Sequence, residues 1–334
     1  MKHLSMAICL VCLSCLSAPA AAGTVLVRSN PATLDFTYGV SFHQAHGRLD
    51  FLDCALPLPQ SDQYQDVSRV RYDEGRIQVH PENNEEYLYV VLAGRHTRFG
   101  LRRVEFEYAC GITLYDVTAD FNSLSERPYH ESSALYRRYA APVGEYIIPR
   151  HPRIGRIAEE LRVKGEGYVD FARKAYEYVA DNFQLFPPDG KVAELDKTFE
   201  RGGGDSLALS SLYISLLRCR GMPARHVIGR EQSGAVHVMA EFYLEGEGWI
   251  PVDVARRSRN PGGDYFGRIR GRDRLVVFSH DIMLTVIGIS KTRTIPVMCE
   301  YDYKYSVHFN SSKGRADDFY AIRHRETFAL TPVR

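Results

Sequence analysis

Gly202-Gly203-Gly204-Asp205-Ser206-Leu207 opens an apolar run that closes fifteen residues after Ser206, at Gly221-Met222-Pro223-Ala224-Arg225. Leu209, Leu212, Tyr213 and Leu216 fall at i, i+3, i+4 and i+7, which is one face of a helix over about 206–220. Gly221 and Pro223 stop that helix. Asp205 and Ser206 stand at its start, where capping residues are at home. A helix start also offers unpaired backbone N–H groups and the positive end of a dipole, so negative charge is favoured there. Ser206 therefore has two readings, a cap or a nucleophile at an oxyanion-holding turn. The glycines before it let backbone approach a substrate closely.

Downstream, His237 opens the strand-like run Val238-Met239-Ala240-Glu241-Phe242-Tyr243. Beyond the Gly246-Glu247-Gly248 turn, Trp249-Ile250-Pro251-Val252-Asp253 closes the next strand. Strands are expected at about 225–230, 237–244 and 249–254. A hairpin centred on residues 246–247 sets Asp253 opposite residue 239 or 241. Both share a sheet face with His237, because side chains repeat every two residues. A diagonal offset of roughly 7–8 Å can be closed by side chains. Nucleophile, imidazole and orienting acid are the three parts an acyl-transfer triad needs.

Taken jointly, Gly204-Asp205-Ser206, Leu216-Leu217-Arg218, Gly221 to Arg225, His237, Glu241, Tyr243, Gly248-Trp249 and Asp253 resemble the core of a bacterial transglutaminase-like domain. The resemblance implies an α+β, papain-like domain whose nucleophile helix packs on an antiparallel sheet and whose triad is Cys-His-Asp. It places Ser206 at the cysteine position, with His237 and Asp253 as the other two members. Phe36-Thr37-Tyr38, Leu56-Pro57-Leu58-Pro59 and Gln65-Asp66-Val67 look like the β-rich domain that often precedes such a core. Tyr265-Phe266-Gly267 and His280-Asp281-Ile282 resemble its tail.

The departure is at the nucleophile. A thiol can rest as thiolate beside an imidazolium, whereas a serine hydroxyl must lose its proton during attack. A site shaped for sulfur misplaces the shorter oxygen, and a 1 Å misplacement can cost about 100-fold. The chain is accordingly expected to be a non-catalytic or very weakly active homologue that binds peptide or protein amide groups, cell-wall peptide included. The alternative is an acyl hydrolase working through Ser206, His237 and Asp253. Gly204-Asp205-Ser206-Leu207 also spells the signature of a serine esterase family. Those enzymes carry it near the N-terminus with a later Asp-x-x-His, which is absent from this sequence.

The segments outside the core set the organisation. From about 24 to 120 the chain reads as strands: Thr24-Val25-Leu26-Val27, Asp35 to Val40, Glu86 to Val91 and Arg103 to Tyr108. Short strands at this spacing suggest a β-sandwich. After about 150 the pattern turns helical, with Ile154, Ile157 and Leu161, then Val169, Ala172, Tyr176 and Val179. The expected boundaries are a signal peptide at 1–22, a sandwich at 23–145 and the transglutaminase-like domain with C-terminal β segments at 146–334.

At 334 residues, 45% hydrophobic and 25% charged, the chain can bury a sizeable core. Net charge is +1, and loss of Lys2 with the leader leaves 41 basic against 41 acidic residues, so nothing argues for nucleic acid. Lys2-His3, the apolar run Leu4–Leu16 and Ser17-Ala18-Pro19-Ala20-Ala21-Ala22 read as a secretion signal too short to span a bilayer. A secreted or periplasmic product is expected, with Cys15 offering lipid anchoring as the alternative. Cys54, Cys110, Cys219 and Cys299 follow the leader, either paired or as buried thiols. No cofactor or metal is called for: His43-x-x-His46 lacks a third ligand, and no CxxC occurs after the leader. Cys219 reads as packing or disulfide, Trp249 as cleft wall or core, and Arg225 as a structural anchor.

Overall fold

Strands β1 (Leu26–Gln44), β2 (Phe51–Pro57), β3 (Gln65–Val67), β4 (Arg71–Tyr72), β5 (Arg76–Val79), β6 (Glu86–Ala93) and β7 (Arg103–Ala119) make up the first part of the chain. The structure, a computed structural model, describes residues 25–44, 51–93, 103–188, 194–287, 292–296, 306–308 and 322–333. The expected leader at 1–22, with Cys15, and also His46 and Cys299, lie outside these residues. Two of the expected strands merge into the 19-residue β1, which crosses Pro31 by a bulge between Ser29 and Ala32, with Asn30 at φ 50°. The short polar side chain of asparagine tolerates that left-handed backbone, and the extra twist lets one strand bend instead of breaking.

The middle of the chain is helical: α1 (Ala134–Tyr139), α2 (Pro152–Leu161), α3 (Tyr168–Asn182), a short β8 (Gln184–Leu185), α4 (Leu195–Arg201), β9 (Gly203–Gly204) and α5 (Ser206–Cys219). Then come β10 (Ala224–Glu231), β11 (Val236–Leu244), β12 (Gly248–Val252), α6 (Val254–Arg259), β13 (Arg268–Ile269) and β14 (Leu275–Ser279). The last strands described are β15 (Met283–Ile287), β16 (Thr292–Pro296), β17 (Ser306–His308) and β18 (Ile322–Pro332).

Three layers of packing follow from strand alternation. Sheet β13-β7-β1-β18, with β3 and β4 also on β7, faces sheet β17-β2-β6-β5. Phe36, Tyr38, Phe106, Tyr108 and Cys110 of the first pack against Cys54, Leu56, Leu88 and Val90 of the second, which makes the pair a sandwich. The third sheet runs β12-β11-β10-β14, all antiparallel. Ala224, Ala240, Phe242, Ile250 and Val252 turn one of its faces to Leu209, Leu212, Tyr213 and Leu216 of α5. Val227, Met239 and Val277 turn the other to Val117, Ile269 and Tyr64. The fold is thus α+β, with a helix packed on an antiparallel sheet.

Helix α5 is buried on every side from Leu207 to Arg218, not along a single stripe. Its serines compensate locally: Ser211 bonds the His226 ring at 3.0 Å, and Ser215 donates to the Ser211 carbonyl at 2.8 Å. Burial, then the nearby Arg218 charge, pushes His226 down to about 3, so it stays neutral. Cys110 and Cys219 are free thiols, so the bridge open to Cys54 and Cys110 is not formed. Burial pushes the Cys110 thiol up to about 12.

Polar contacts join the sandwich to the third sheet. His280, just beyond β14, holds Glu85 through Nδ1 at 2.9 Å and faces Asp62 across 3.3 Å from Nε2. Glu85 also accepts from the His280 backbone and from the Ser279 hydroxyl, at 2.8 and 2.5 Å. Burial works against the imidazolium and Arg225 repels it, yet the two carboxylates win and lift His280 to about 9. Free histidine titrates near 6.5. The charge therefore stabilises the fold fully below about pH 6.5, and the gain is lost as pH rises through about 9. Urea midpoints should fall across that window by the equivalent of about 3 kcal/mol, and His280→Gln should flatten the slope. A wild-type midpoint independent of pH there would refute the assignment.

Candidate functional site

Asp205 caps α5: its Oδ1 accepts from the Ala208 N–H at 2.9 Å. Ser206 is therefore released from capping and stands at the first helical position. The glycines before it serve the fold. Gly202, at φ 66°, ends α4 in the left-handed region. A Cβ on Gly203 would lie 2.2 Å from the Gln184 carbonyl, and one on Gly204 would lie 2.4 Å from the Ala208 Cβ. The close approaches these glycines allow within the fold are to β8 and to α5 itself.

Strand β12 stops at Val252, which pairs with Ala240, so the edge of β11 beyond that point lies open to α5. Ser206 Oγ accepts from the Val238 N–H at 3.2 Å, and Ser210 Oγ donates to the Val238 carbonyl at 3.1 Å. Both backbone polar groups of Val238, the residue after His237, are thus held by two hydroxyls one helical turn apart. Among the described residues, no hydrogen bond joins Ser206 to the His237 ring.

His237 shares its sheet face with Met239 and Glu241, and pairs across β10 with Gly229, where a Cβ would fall 2.5 Å from the Val276 carbonyl. Asp253 follows β12 directly, one step beyond the Val252–Ala240 pair and so level with Met239. The diagonal closes: His237 Nε2 lies 2.7 Å from Asp253 Oδ2, with both side chains buried. Asp253 has a second task as cap of α6, its Oδ1 accepting from the Arg256 N–H at 2.9 Å. Burial raises its carboxyl, but His237, Arg256 and that N–H together hold it below the ordinary carboxylate value. The structure thus joins His237 to Asp253 and brings Ser206 to the neighbouring peptide.

Two residues beside the pair were not singled out from the sequence. Arg256, buried on α6, reaches Glu231 at 3.0 Å and Asp253 Oδ2 at 3.4 Å. Glu231 in turn stands 3.9 Å from His237 Nδ1. Spacing alone carried one signal, since Arg256 follows Asp253 by one helical turn. Glu231 reaches the ring through a hairpin turn that one sequence does not position.

Farther along the same face, Glu241 is fully buried and takes Arg225 at 2.6 Å, with Tyr64 and Gln63 each at 2.5 Å. Arg225 also lies 4.1 Å over the Trp249 ring, which Tyr139 and Tyr243 enclose. That fits the anchor role expected of Arg225 and makes Trp249 part of an aromatic cage. No group of three or more His, Cys, Asp or Glu among the described residues is arranged to hold a metal ion.

A half-buried helix start set against an antiparallel sheet, with a His–Asp pair beside it, defines the class of papain-like α+β domains. Residues 155–254 match the Transglutaminase-like superfamily, and the chain carries a domain of that superfamily. Over 235 residues it is 25% identical to an uncharacterized protein of Haemophilus influenzae, covering 60% of this chain and 62% of that protein's length. A candidate cysteine protease from Cytophaga hutchinsonii superposes with a TM-score of 0.59 at 12% identity, across 93% of each chain, and so shares the fold. The periplasmic domain of TgpA from Pseudomonas aeruginosa matches at a TM-score of 0.36 and 14% identity, over 68% of this chain and 89% of that one.

Asp253→Asn should cost about 3 kcal/mol in urea unfolding, because it unpairs a buried ring and weakens the hold of Arg256. A loss below about 0.5 kcal/mol, the scale of a surface change, would contradict that role. Gly204→Ala should destabilise by about 2 kcal/mol through its clash with Ala208, read in the same assay. Wild-type stability in that variant would show that the close approach is relieved at no cost.

Proposed function

We propose that this is a non-catalytic, exported transglutaminase-like protein that binds peptide or protein amide groups at the cleft beside Ser206, His237 and Asp253. One observation carries the reading. The Ser206 hydroxyl is engaged with the Val238 N–H and makes no hydrogen bond to the His237 ring. A serine nucleophile needs its base within hydrogen-bond reach to take the proton as it attacks. Ser206 instead supports the backbone. The leader-like residues 1–22 motivate export, and no helix among the described residues is long and apolar enough to cross a membrane. The peptide class rests on the domain itself, with cell-wall peptide one member of that class.

A second reading has its own observation in favour. The His237–Asp253 pair keeps a 2.7 Å contact with an ionised carboxylate, as the base half of a serine triad requires. On that reading Ser206 attacks an acyl carbon as His237 takes its proton, the proton passes to the leaving amine as the C–N bond breaks, water then hydrolyses the acyl-serine, and Asp253 orients the ring throughout.

A fluorophosphonate probe separates the two. Such probes phosphonylate activated serines, so the binding reading expects no adduct on Ser206 by intact-mass analysis. Labelling that disappears in Ser206→Ala would overturn it in favour of the hydrolase.

A further inference from the structure

The Nδ1 side of His237 has an occupant that neither reading uses. Nε2 is committed to Asp253 at 2.7 Å, so Nδ1 is the nitrogen left to exchange a proton with a group at position 206. Facing it at 3.9 Å is Glu231 Oε1, from the last residue of β10. This carboxylate is fixed twice. Its backbone closes the turn to β11, with the Glu231 N–H on the Ala235 carbonyl at 2.8 Å and the Gly234 N–H on the Glu231 carbonyl at 2.8 Å. Gly234, at φ 86°, supplies the left-handed residue that turn requires. The Glu231 side chain is held at 3.0 Å by Arg256, which is itself buried and pinned by the Asp273 carbonyl at 2.5 Å.

Among the described residues, four charged groups are set around the ring. Asp253 lies on the Nε2 side and Glu231 on the Nδ1 side. Arg256 from α6 joins the two, and Asp273 backs Arg256 at 3.4 Å. A full charge 3.9 Å from Nδ1, in a partly buried site where screening is weaker than in water, attracts an N–H on that nitrogen. A neutral hydroxyl already bonded to a backbone N–H cannot compete with that. We propose that Glu231 is a positioning residue that draws the Nδ1 side of His237 away from residue 206. The site is then held inactive by this carboxylate as well as by the missing thiol. The proposal rests on the reading of Ser206, His237 and Asp253 as a triad remnant.

Ser206→Cys supplies the test, with Glu231→Gln added to remove the charge at nearly constant shape. Iodoacetamide alkylation of the thiol at position 206 is followed from about pH 5 to 9, with glutathione as the free-thiol reference. A ring released toward position 206 stabilises a thiolate there, so at about pH 6 the double variant should alkylate about tenfold faster than Ser206→Cys alone. The two rates should converge near pH 9, where any thiol is largely ionised. A mere packing role for Glu231 would not move that pH profile. Equal rates at pH 6, both above glutathione, overturn the role of Glu231 and leave the triad geometry standing. Rates no higher than glutathione in both proteins overturn the triad reading, and the proposal with it. Ser206→Cys/Glu231→Asp, which keeps the charge, should stay as slow as Ser206→Cys.

Discussion

The backbone of Val238 is the point on which this structure turns. Its N–H and carbonyl are left open where β12 ends, and Ser206 and Ser210 close over them. A buried backbone pair without partners would cost several kcal/mol, so the helix start has to dock there. That docking decides the angle of α5 on the sheet and the register of Asp205, Gly204 and Gly203 behind it. It also brings residue 206 beside residue 237. The geometry that looks like a reactive site is, in the first instance, how a helix is attached to a sheet edge.

The face of the sheet away from α5 is held by charge. His237–Asp253–Arg256–Glu231, Arg225–Glu241 with Tyr64 and Gln63, and His280 with Glu85 and Asp62 follow one another along it. Buried ions of this kind are expensive to desolvate and tolerable only as complete sets. Each set recruits a residue from a different stretch of chain: Glu231 from a hairpin, Gln63 and Tyr64 from the segment before β3, Glu85 from the loop before β6. Polar contact thus fixes which surfaces meet, while the aromatic and aliphatic layers supply the burial.

The core was legible because its signals are local. The 3.6-residue period over Leu209–Leu216, the Gly221-Met222-Pro223 stop and the hairpin around Gly246-Glu247-Gly248 each lie within one element. From them the His237–Asp253 diagonal could be predicted, and the register of β11 on β12 bears it out. What escaped is non-local or brief. Helices α1, α4 and α6 are six or seven residues long, too short for periodicity to stand out. The glycine run pointed to close approach, but only the fold identifies Gln184 and Ala208 as what is approached. Glu231 faces His237 because a turn and Arg256 aim it, and no spacing announces that.

Strand β18 pairs with β1 from Leu34–Pro332 to Gln44–Ile322, so partners in one ladder are separated by nearly the whole chain. Loop closure over such a distance is slow, and β1 cannot acquire this neighbour until residues 322–332 have been synthesised. Until then its hydrogen-bonding edge is open, with Phe36, Tyr38 and Val40 close behind it. Open edges of this kind recruit other chains. The order of synthesis therefore matters to this protein: its first strand has to wait for its last, and whatever keeps the chain apart in the interval protects the fold as much as any contact in the finished structure.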